Sequence, residues 1–331
     1  MSSEFRQDLV SGEWVLVAPT RSERPKEIKP RENNFQPIES CLFEDPEKTG
    51  QQVLEAYFIE SNKNDWWIKV IQNKYPAVEI GNCGVMEKDG YFRKYPGRGM
   101  HEVIITRDHE RNIPDFSNEE AEKLIEVFAD RYKRMGSTKE SCGNYILIFQ
   151  NYGKEAGASI YHPHVQIIST PILPPSAARS INGAQRFFEE NKIEAHKVMV
   201  SWEKEQGKRI IYENDDFVVF CPFVSKNPYE IKIFPKRFNP HFEEINESET
   251  KSLADVLIKV LSKIKSALND SGYNLFIHSI PKIYDNETEH DFYCWHVEIV
   301  PSISIDAGFE LGTGIDINMV DPDDAAEKLK I

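Results

Sequence analysis

His101-Glu-Val-Ile-Ile-Thr-Arg-Asp-His109 is echoed by Tyr229-Glu-Ile-Lys-Ile-Phe-Pro-Lys-Arg237, an offset of 128 residues. Three more matches follow in the same order. Phe116-Ser-Asn-Glu-Glu-Ala-Glu-Lys-Leu124 corresponds to Ile245-Asn-Glu-Ser-Glu-Thr-Lys-Ser-Leu253 at an offset of 129. Tyr145-Ile-Leu-Ile-Phe149 corresponds to Tyr273-Asn-Leu-Phe-Ile277 at 128, and His164-Val-Gln-Ile-Ile168 to His296-Val-Glu-Ile-Val300 at 132. Self-similarity at one nearly constant period marks a duplicated structural unit. The chain therefore reads as two related α+β halves, residues 1–172 and 173–331.

Within each half the pattern predicts strand, helix, strand, strand. Glu102 to Thr106 is rich in β-branched residues. Ser117 and Glu120 stand at capping-box spacing ahead of Ala121, Leu124, Ile125 and Phe128, which share one helical face. Asn246 and Glu249 repeat that device ahead of Leu253, Val256, Leu257 and Val260. Tyr145–Phe149 and Val165–Ser169 are separated by a short glycine-containing loop, which predicts antiparallel neighbours. Outside the repeat, Glu13-Trp-Val-Leu-Val-Ala18 predicts a strand. Pro174 to Gly183, then Ala184 to Lys192 and beyond, reads as a connector with a helix between the halves, and Pro322 to Leu329 as a short C-terminal helix.

The loop between the last two strands of the first half holds the densest chemistry: Asn151-Tyr-Gly-Lys-Glu-Ala-Gly-Ala-Ser-Ile-Tyr-His-Pro-His-Val-Gln166. His162 and His164, two apart in extended chain, point to one face of a strand. Gly153, Gly157 and Ser159 allow a close backbone approach to an anion, and Asn151, Ser159 and Gln166 can donate hydrogen bonds to it. A neutral imidazole beside such a cradle can attack phosphorus. The plainer reading is a buried strand whose histidines satisfy local hydrogen bonds, and a lone His-x-His would fit it better.

With 331 residues, 40% hydrophobic and 28% charged, the chain can bury one large core or two ordinary ones. Its net charge of −14 disfavours binding to nucleic acid or an anionic membrane surface. No apolar run approaches the roughly 20 residues that span a bilayer, and Met1 to Asp8 carries no signal-peptide pattern, so the expected compartment is the cytoplasm. Cys41, Cys83, Cys142, Cys221 and Cys294 are odd in number and scattered, which predicts reduced thiols with at most one serving a metal. Arg21 and Arg24, in Pro19-Thr-Arg-Ser-Glu-Arg-Pro25, are candidate phosphate-binding cations, or else a solvated basic turn.

Taken in order, these segments resemble the galactose-1-phosphate uridylyltransferase family, the two-repeat branch of the histidine-triad superfamily. The resemblance covers nearly the whole chain. It adds Arg6-Gln-Asp-Leu-Val-Ser-Gly-Glu-Trp-Val15, Val70-Ile-Gln-Asn-Lys-Tyr-Pro-Ala77, Gly99-Met-His-Glu-Val-Ile104, Trp295 to Pro301 and Gly308-Phe-Glu-Leu-Gly-Thr-Gly314 to the stretches already quoted. It implies two histidine-triad-like halves, a mainly antiparallel sheet with packed helices, and a double displacement. His164 attacks the α-phosphorus of a nucleoside diphosphate sugar, the His162 carbonyl steadies the ring, and Gln166, Asn151 and Ser159 hold the phosphate. It also maps Arg21, Arg24 and Asn73 towards the phosphates, places Gly157 in the cradle, and maps Glu310 to the hexose hydroxyls.

The resemblance further implies a structural zinc at Cys41, Glu44, His109 and His162, with Glu44 standing where relatives carry a second cysteine. Loss of the metal is the competing reading there. A homodimer is implied as well, because relatives build one active site from two subunits. His296 and Glu298 occupy the places of His164 and Gln166 in the second half without a glycine-rich cradle, so that half is expected to be non-catalytic. The leading expectation is transfer of UMP between hexose 1-phosphates. The alternatives are phosphorolysis of ADP-glucose and a nucleotide-binding protein without turnover; the uracil or adenine preference stays open.

Overall fold

The computed structural model describes residues 2–23, 35–143, 145–281 and 292–331. The strands are β1 (Glu4–Gln7), β2 (Trp14–Val17), β3 (Val53–Tyr57), β4 (Ile68–Gln72), β5 (Glu87–Asp89), β6 (Phe92–Lys94), β7 (His101–Thr106), β8 (Tyr145–Tyr152), β9 (His164–Thr170), β10 (Ile210–Glu213), β11 (Phe217–Phe220), β12 (Ile231–Pro235), β13 (Tyr273–His278), β14 (His296–Pro301) and β15 (Asp316–Asn318). The helices are α1 (Asn118–Ser137), α2 (Pro175–Asn191), α3 (Ala195–Gln206), α4 (Glu247–Ala267), α5 (Gly308–Thr313) and α6 (Pro322–Leu329).

Ten strands form one sheet in the order β10-β11-β12-β14-β13-β8-β9-β7-β4-β3. The internal repeat explains that order. It maps β7 to β12, α1 to α4, β8 to β13 and β9 to β14, and the sequence β7-β9-β8 meets its reversed copy, β13-β14-β12, at a seam. There Tyr273 faces Tyr152 and Phe276 faces Phe149 in antiparallel register. The two halves thus share a single continuous sheet.

Both capping boxes form. Ser117 and Asn246 accept from the backbone of Glu120 and Glu249, whose carboxylates reach back to the cap N–H groups. The apolar faces of α1 and α4 pack together on one face of the sheet with Ile104, Ile148, Val165, Ile231 and Val297. The strand alternation leaves His164 and Gln166, and likewise His296 and Glu298, on the opposite face. β7 is buried at every position, because segment 38–53 covers the outer face of its neighbourhood through Cys41 and Phe43. A strand covered on both faces loses the clean alternation of a half-exposed one, which is why the sequence showed it only in part.

β1, β2 and β15 make a small separate sheet that ties the N-terminal segment to the C-terminal one. Arg6 fastens it to Asp321 at 2.8 Å and to the Phe223 carbonyl at 3.0 Å. Among the described residues, no helix is long and apolar enough to cross a membrane.

One expectation is corrected. Cys83 and Cys142 are joined by a disulfide with 5.3 Å between Cα atoms, so not all cysteines are free thiols. The turn after α1 lies against the excursion between β4 and β7, a proximity that 59 residues of separation do not reveal. The connector helix runs from Pro175 to Asn191; a first-turn proline loses no intrahelical hydrogen bond and has a pre-set φ. Glu310 lies in the short helix α5, its carboxylate accepting from the Ala307 N–H at 3.1 Å.

Candidate active site

His164 opens β9, where Ile105 of β7 is its partner in the ladder. Its Nδ1 lies 2.9 Å from the His162 carbonyl. A carbonyl only accepts, so the ring carries its proton on Nδ1 and presents the lone pair on Nε2. Burial holds the imidazole below its ordinary titration range, with the carbonyl working the other way. The ring is therefore neutral near pH 7 and nucleophilic at one defined atom. Phe43 fixes its tilt by an edge-to-face contact at 5.2 Å.

The loop before β9 carries two glycines in a conformation that favours glycine. Gly153 and Gly157 both sit at φ +88°, where a side chain would be strained. Asn151, Gly153, Ala158, Ile160 and His164 line one small pocket, with Ser159 exposed on the same loop. Asn274 of β13 organises this region from the second half. Its Nδ2 donates to the Ala156 carbonyl and to Asn151 Oδ1, both at 2.8 Å. Because the Ala156 partner is a backbone carbonyl, the polarity is unambiguous: Asn151 has its oxygen engaged and its amino group available to an anion.

Asn73 follows β4. Its Oδ1 accepts from the Tyr75 N–H at 2.9 Å, and its Nδ2 lies 3.2 Å from His101 Nε2, on the row that continues to Gln166. Arg21 and Glu310 are elsewhere: they line a separate cleft with Lys226, Ser304 and Asp316, which shares no residue with the His164 pocket. Arg24 lies outside the described residues.

Cys41, Glu44, His109 and His162 do converge, their ligand atoms all within 4.8 Å of one another. The donor set fits a cation. His162 Nε2 donates to the Thr106 carbonyl and His109 Nε2 to the Gln36 carbonyl, both at 2.7 Å. The Nδ1 atoms of both rings face Glu44 Oε1, at 3.4 and 3.1 Å. The Cys41 sulfur lies 3.6 Å from His162 Nδ1, so a thiol, a carboxylate oxygen and two ring nitrogens converge as a donor set suited to a cation. Carbonyl acceptors on the far ring nitrogens are the usual outer support of zinc-binding histidines. Arg107 holds the other Glu44 oxygen at 3.1 Å. These four residues would hold a metal ion such as zinc, which would tie segment 38–53 to the His-Pro-His motif.

In the second half, Lys232, His278, His296 and Glu298 line a cavity of about 320 Å³ between the sheet, α2 and the N-terminal segment. His296 lies between Phe234 and His278, with ring centroids at 4.6 and 5.0 Å. Burial opposes the charge on Glu298, but Lys232 and His278 keep its carboxyl well below the usual range. The place of His162 is taken by Cys294, a buried free thiol.

Buried histidines give this protein a definite pH response. Burial depresses His101, His164, His196 and His296, His196 to about 3. Above pH ~6.5 both folded and unfolded states leave these rings neutral, whereas below it only the unfolded chain takes up protons, so stability falls as pH drops. Glu230, raised to about 7 first by burial and then by Glu298, acts in the opposite sense between its two values, as do Glu203 and Asp316, both raised first by burial. The urea midpoint should be lower at about pH 5 than at about pH 7.5; an equal or higher value would contradict this.

The topology and the paired histidine sites define a fold of two related histidine-triad-like halves built on a mainly antiparallel sheet. The family profile described as Galactose-1-phosphate uridyl transferase, N-terminal domain, matches residues 1–174, and that of the HIT domain matches residues 203–290. The chain belongs to the galactose-1-phosphate uridyl transferase family. It is 31% identical to the ADP-glucose phosphorylase of Arabidopsis thaliana over 99% of this chain and 93% of that protein. It is also 31% identical to the galactose-1-phosphate uridylyltransferase of Thermotoga maritima, over 99% and 98%. The crystal structure of the Arabidopsis phosphorylase with bound ADP-glucose superposes with a TM-score of 0.82 at 29% identity, covering 99% of both chains.

Proposed function

We propose that this chain transfers UMP between a UDP-hexose and a hexose 1-phosphate through a nucleotidyl-His164 intermediate. The observation that carries the reading is the Nδ1–H of His164 held on the His162 carbonyl, which leaves Nε2 as the nucleophile beside the glycine cradle. Nε2 forms a bond to the α-phosphorus while the bond to the bridging oxygen breaks, and hexose 1-phosphate leaves. The ring is then cationic, and its Nδ1–H to the carbonyl becomes a charge-assisted hydrogen bond that stabilises the intermediate. A phosphate oxygen of the second hexose 1-phosphate takes the nucleotide and restores the neutral ring. Asn151, Ser159, Gln166 and Asn73 supply donors to the phosphate oxygens. The separation of Arg21 and Glu310 from His164 within one chain supports a homodimer, in which the cleft of one protomer completes the site of its partner.

A second reading draws on the 31% identity to the ADP-glucose phosphorylase. The donor is then ADP-glucose and the acceptor inorganic phosphate, with His164 unchanged in role. Supplying UDP-glucose with galactose 1-phosphate, and separately ADP-glucose with phosphate, and following products by phosphorus NMR distinguishes the two. Turnover of the first pair is expected. Turnover of the second pair alone assigns the phosphorylase reading, and turnover of neither contradicts nucleotidyl transfer.

Zinc at Cys41, Glu44, His109 and His162 is part of the proposal. The purified protein should carry about one equivalent per chain by elemental mass spectrometry, and a chelator should lower its melting temperature by several degrees. Less than about a tenth of an equivalent after zinc-supplemented expression would count against the site.

A further inference from the structure

His101 lies outside the His-Pro-His motif, on β7, diagonally across from Gln166 of β9: Val103 is the direct partner of Gln166, and Ile168 that of His101. Diagonal neighbours on one sheet face are within reach of long side chains. His101 Nε2 is 2.9 Å from Gln166 Oε1, and its Nδ1 accepts from the Ala77 backbone N–H at 3.2 Å. The second contact settles the proton. A backbone N–H can only donate, so Nδ1 bears the lone pair and the proton of the neutral ring is on Nε2. That N–H must then meet the oxygen end of the Gln166 amide.

We propose that His101 is a positioning residue that sets the polarity of Gln166, turning its amino group towards the phosphate beside His164. The inference rests on the nucleotidyl-histidine reading given above. A glutamine side chain can rotate its amide by half a turn and present a carbonyl oxygen to an anionic transition state, which replaces a donor by a repulsive acceptor. The His101 N–H removes that orientation. Asn274 does the same for Asn151 from the other side of the pocket. Because Nε2 carries the proton, it accepts nothing from Asn73, whose amino group 3.2 Å away is likewise left for a ligand.

Two substitutions separate this role from simple packing. His101→Asn retains an acceptor for the Ala77 N–H but reaches no further, whereas His101→Gln places an amide N–H near the former Nε2. The rate of nucleotidyl-enzyme formation at saturating donor should fall about 10–100-fold in His101→Asn and recover to within about fivefold of wild type in His101→Gln. In a Gln166→Ala background, His101→Asn should add less than about twofold, since the group it orients is gone. A wild-type rate in His101→Asn, or an equal loss in both backgrounds, overturns the proposal. Nitrogen-15 NMR of histidine-labelled wild-type protein tests it without any turnover: a protonated Nε2 and bare Nδ1 at His101 support it, and the reverse tautomer overturns it. Failure of the wild type to form any nucleotidyl-enzyme would instead strike the reading of His164.

Discussion

His164→Ala should lower the transfer rate by at least about 10⁴-fold, because the substitution removes the atom that forms the bond to phosphorus rather than one of several stabilising contacts. The fold should survive. The ring is 9% exposed and packs against Phe43, and the register of β9 with β7 uses its backbone rather than its side chain. A stability loss of about 1–3 kcal/mol is expected for deleting such a side chain. Single-turnover kinetics with urea unfolding on the same preparation measures both quantities. A folded variant with a rate within tenfold of wild type would remove His164 from the mechanism.

The largest expected effect on stability comes from Arg131 of α1. Its guanidinium makes two hydrogen bonds to Glu102 of β7, at 2.9 and 2.6 Å, with both residues buried. Arg131→Met leaves the Glu102 carboxylate without its cation in the seam between helix and sheet, which costs about 3–5 kcal/mol. Adding Glu102→Leu should recover most of that loss, because an uncharged pair avoids the desolvation penalty. Glu102 adjoins His101 in the chain and points to the opposite face of β7, so the helix-side ion pair also holds the strand that orients Gln166. Denaturant midpoints for the two variants decide the matter. A loss below about 1 kcal/mol for Arg131→Met would show that Glu102 finds water or another partner.

Much of this architecture was legible in the sequence, for reasons that can be named. The capping boxes at Ser117 and Asn246 are local, so their spacing alone locates the starts of α1 and α4. The repeat foretold the equivalence of β8 with β13 and of β9 with β14, and the glycine loop foretold the antiparallel β8–β9 pair. The convergence of Cys41, Glu44, His109 and His162 came from resemblance, and the described geometry brings them together.

What escaped depends on register and on distant packing. His101 meets Gln166 because β7 and β9 pair with one particular stagger, and a shift of one residue would turn His101 to the other face. Asn274 reaches Asn151 across the seam between the halves, a contact no pattern within either half contains. Cys83 and Cys142 meet through two loops. Arg21 and Glu310 share a cleft apart from His164 in the same chain, a separation that sequence order does not reveal.

The central claim is a covalent bond between His164 and the nucleotide. It is tested most directly by mixing the enzyme with a nucleoside diphosphate hexose labelled in the α-phosphate, quenching in mild alkali, digesting, and locating the label by mass spectrometry. The account predicts an acid-labile nucleotidyl group on the peptide carrying His164, and its loss on addition of the phosphate acceptor. Label on His162 or His296, or turnover without any labelled histidine, would contradict it.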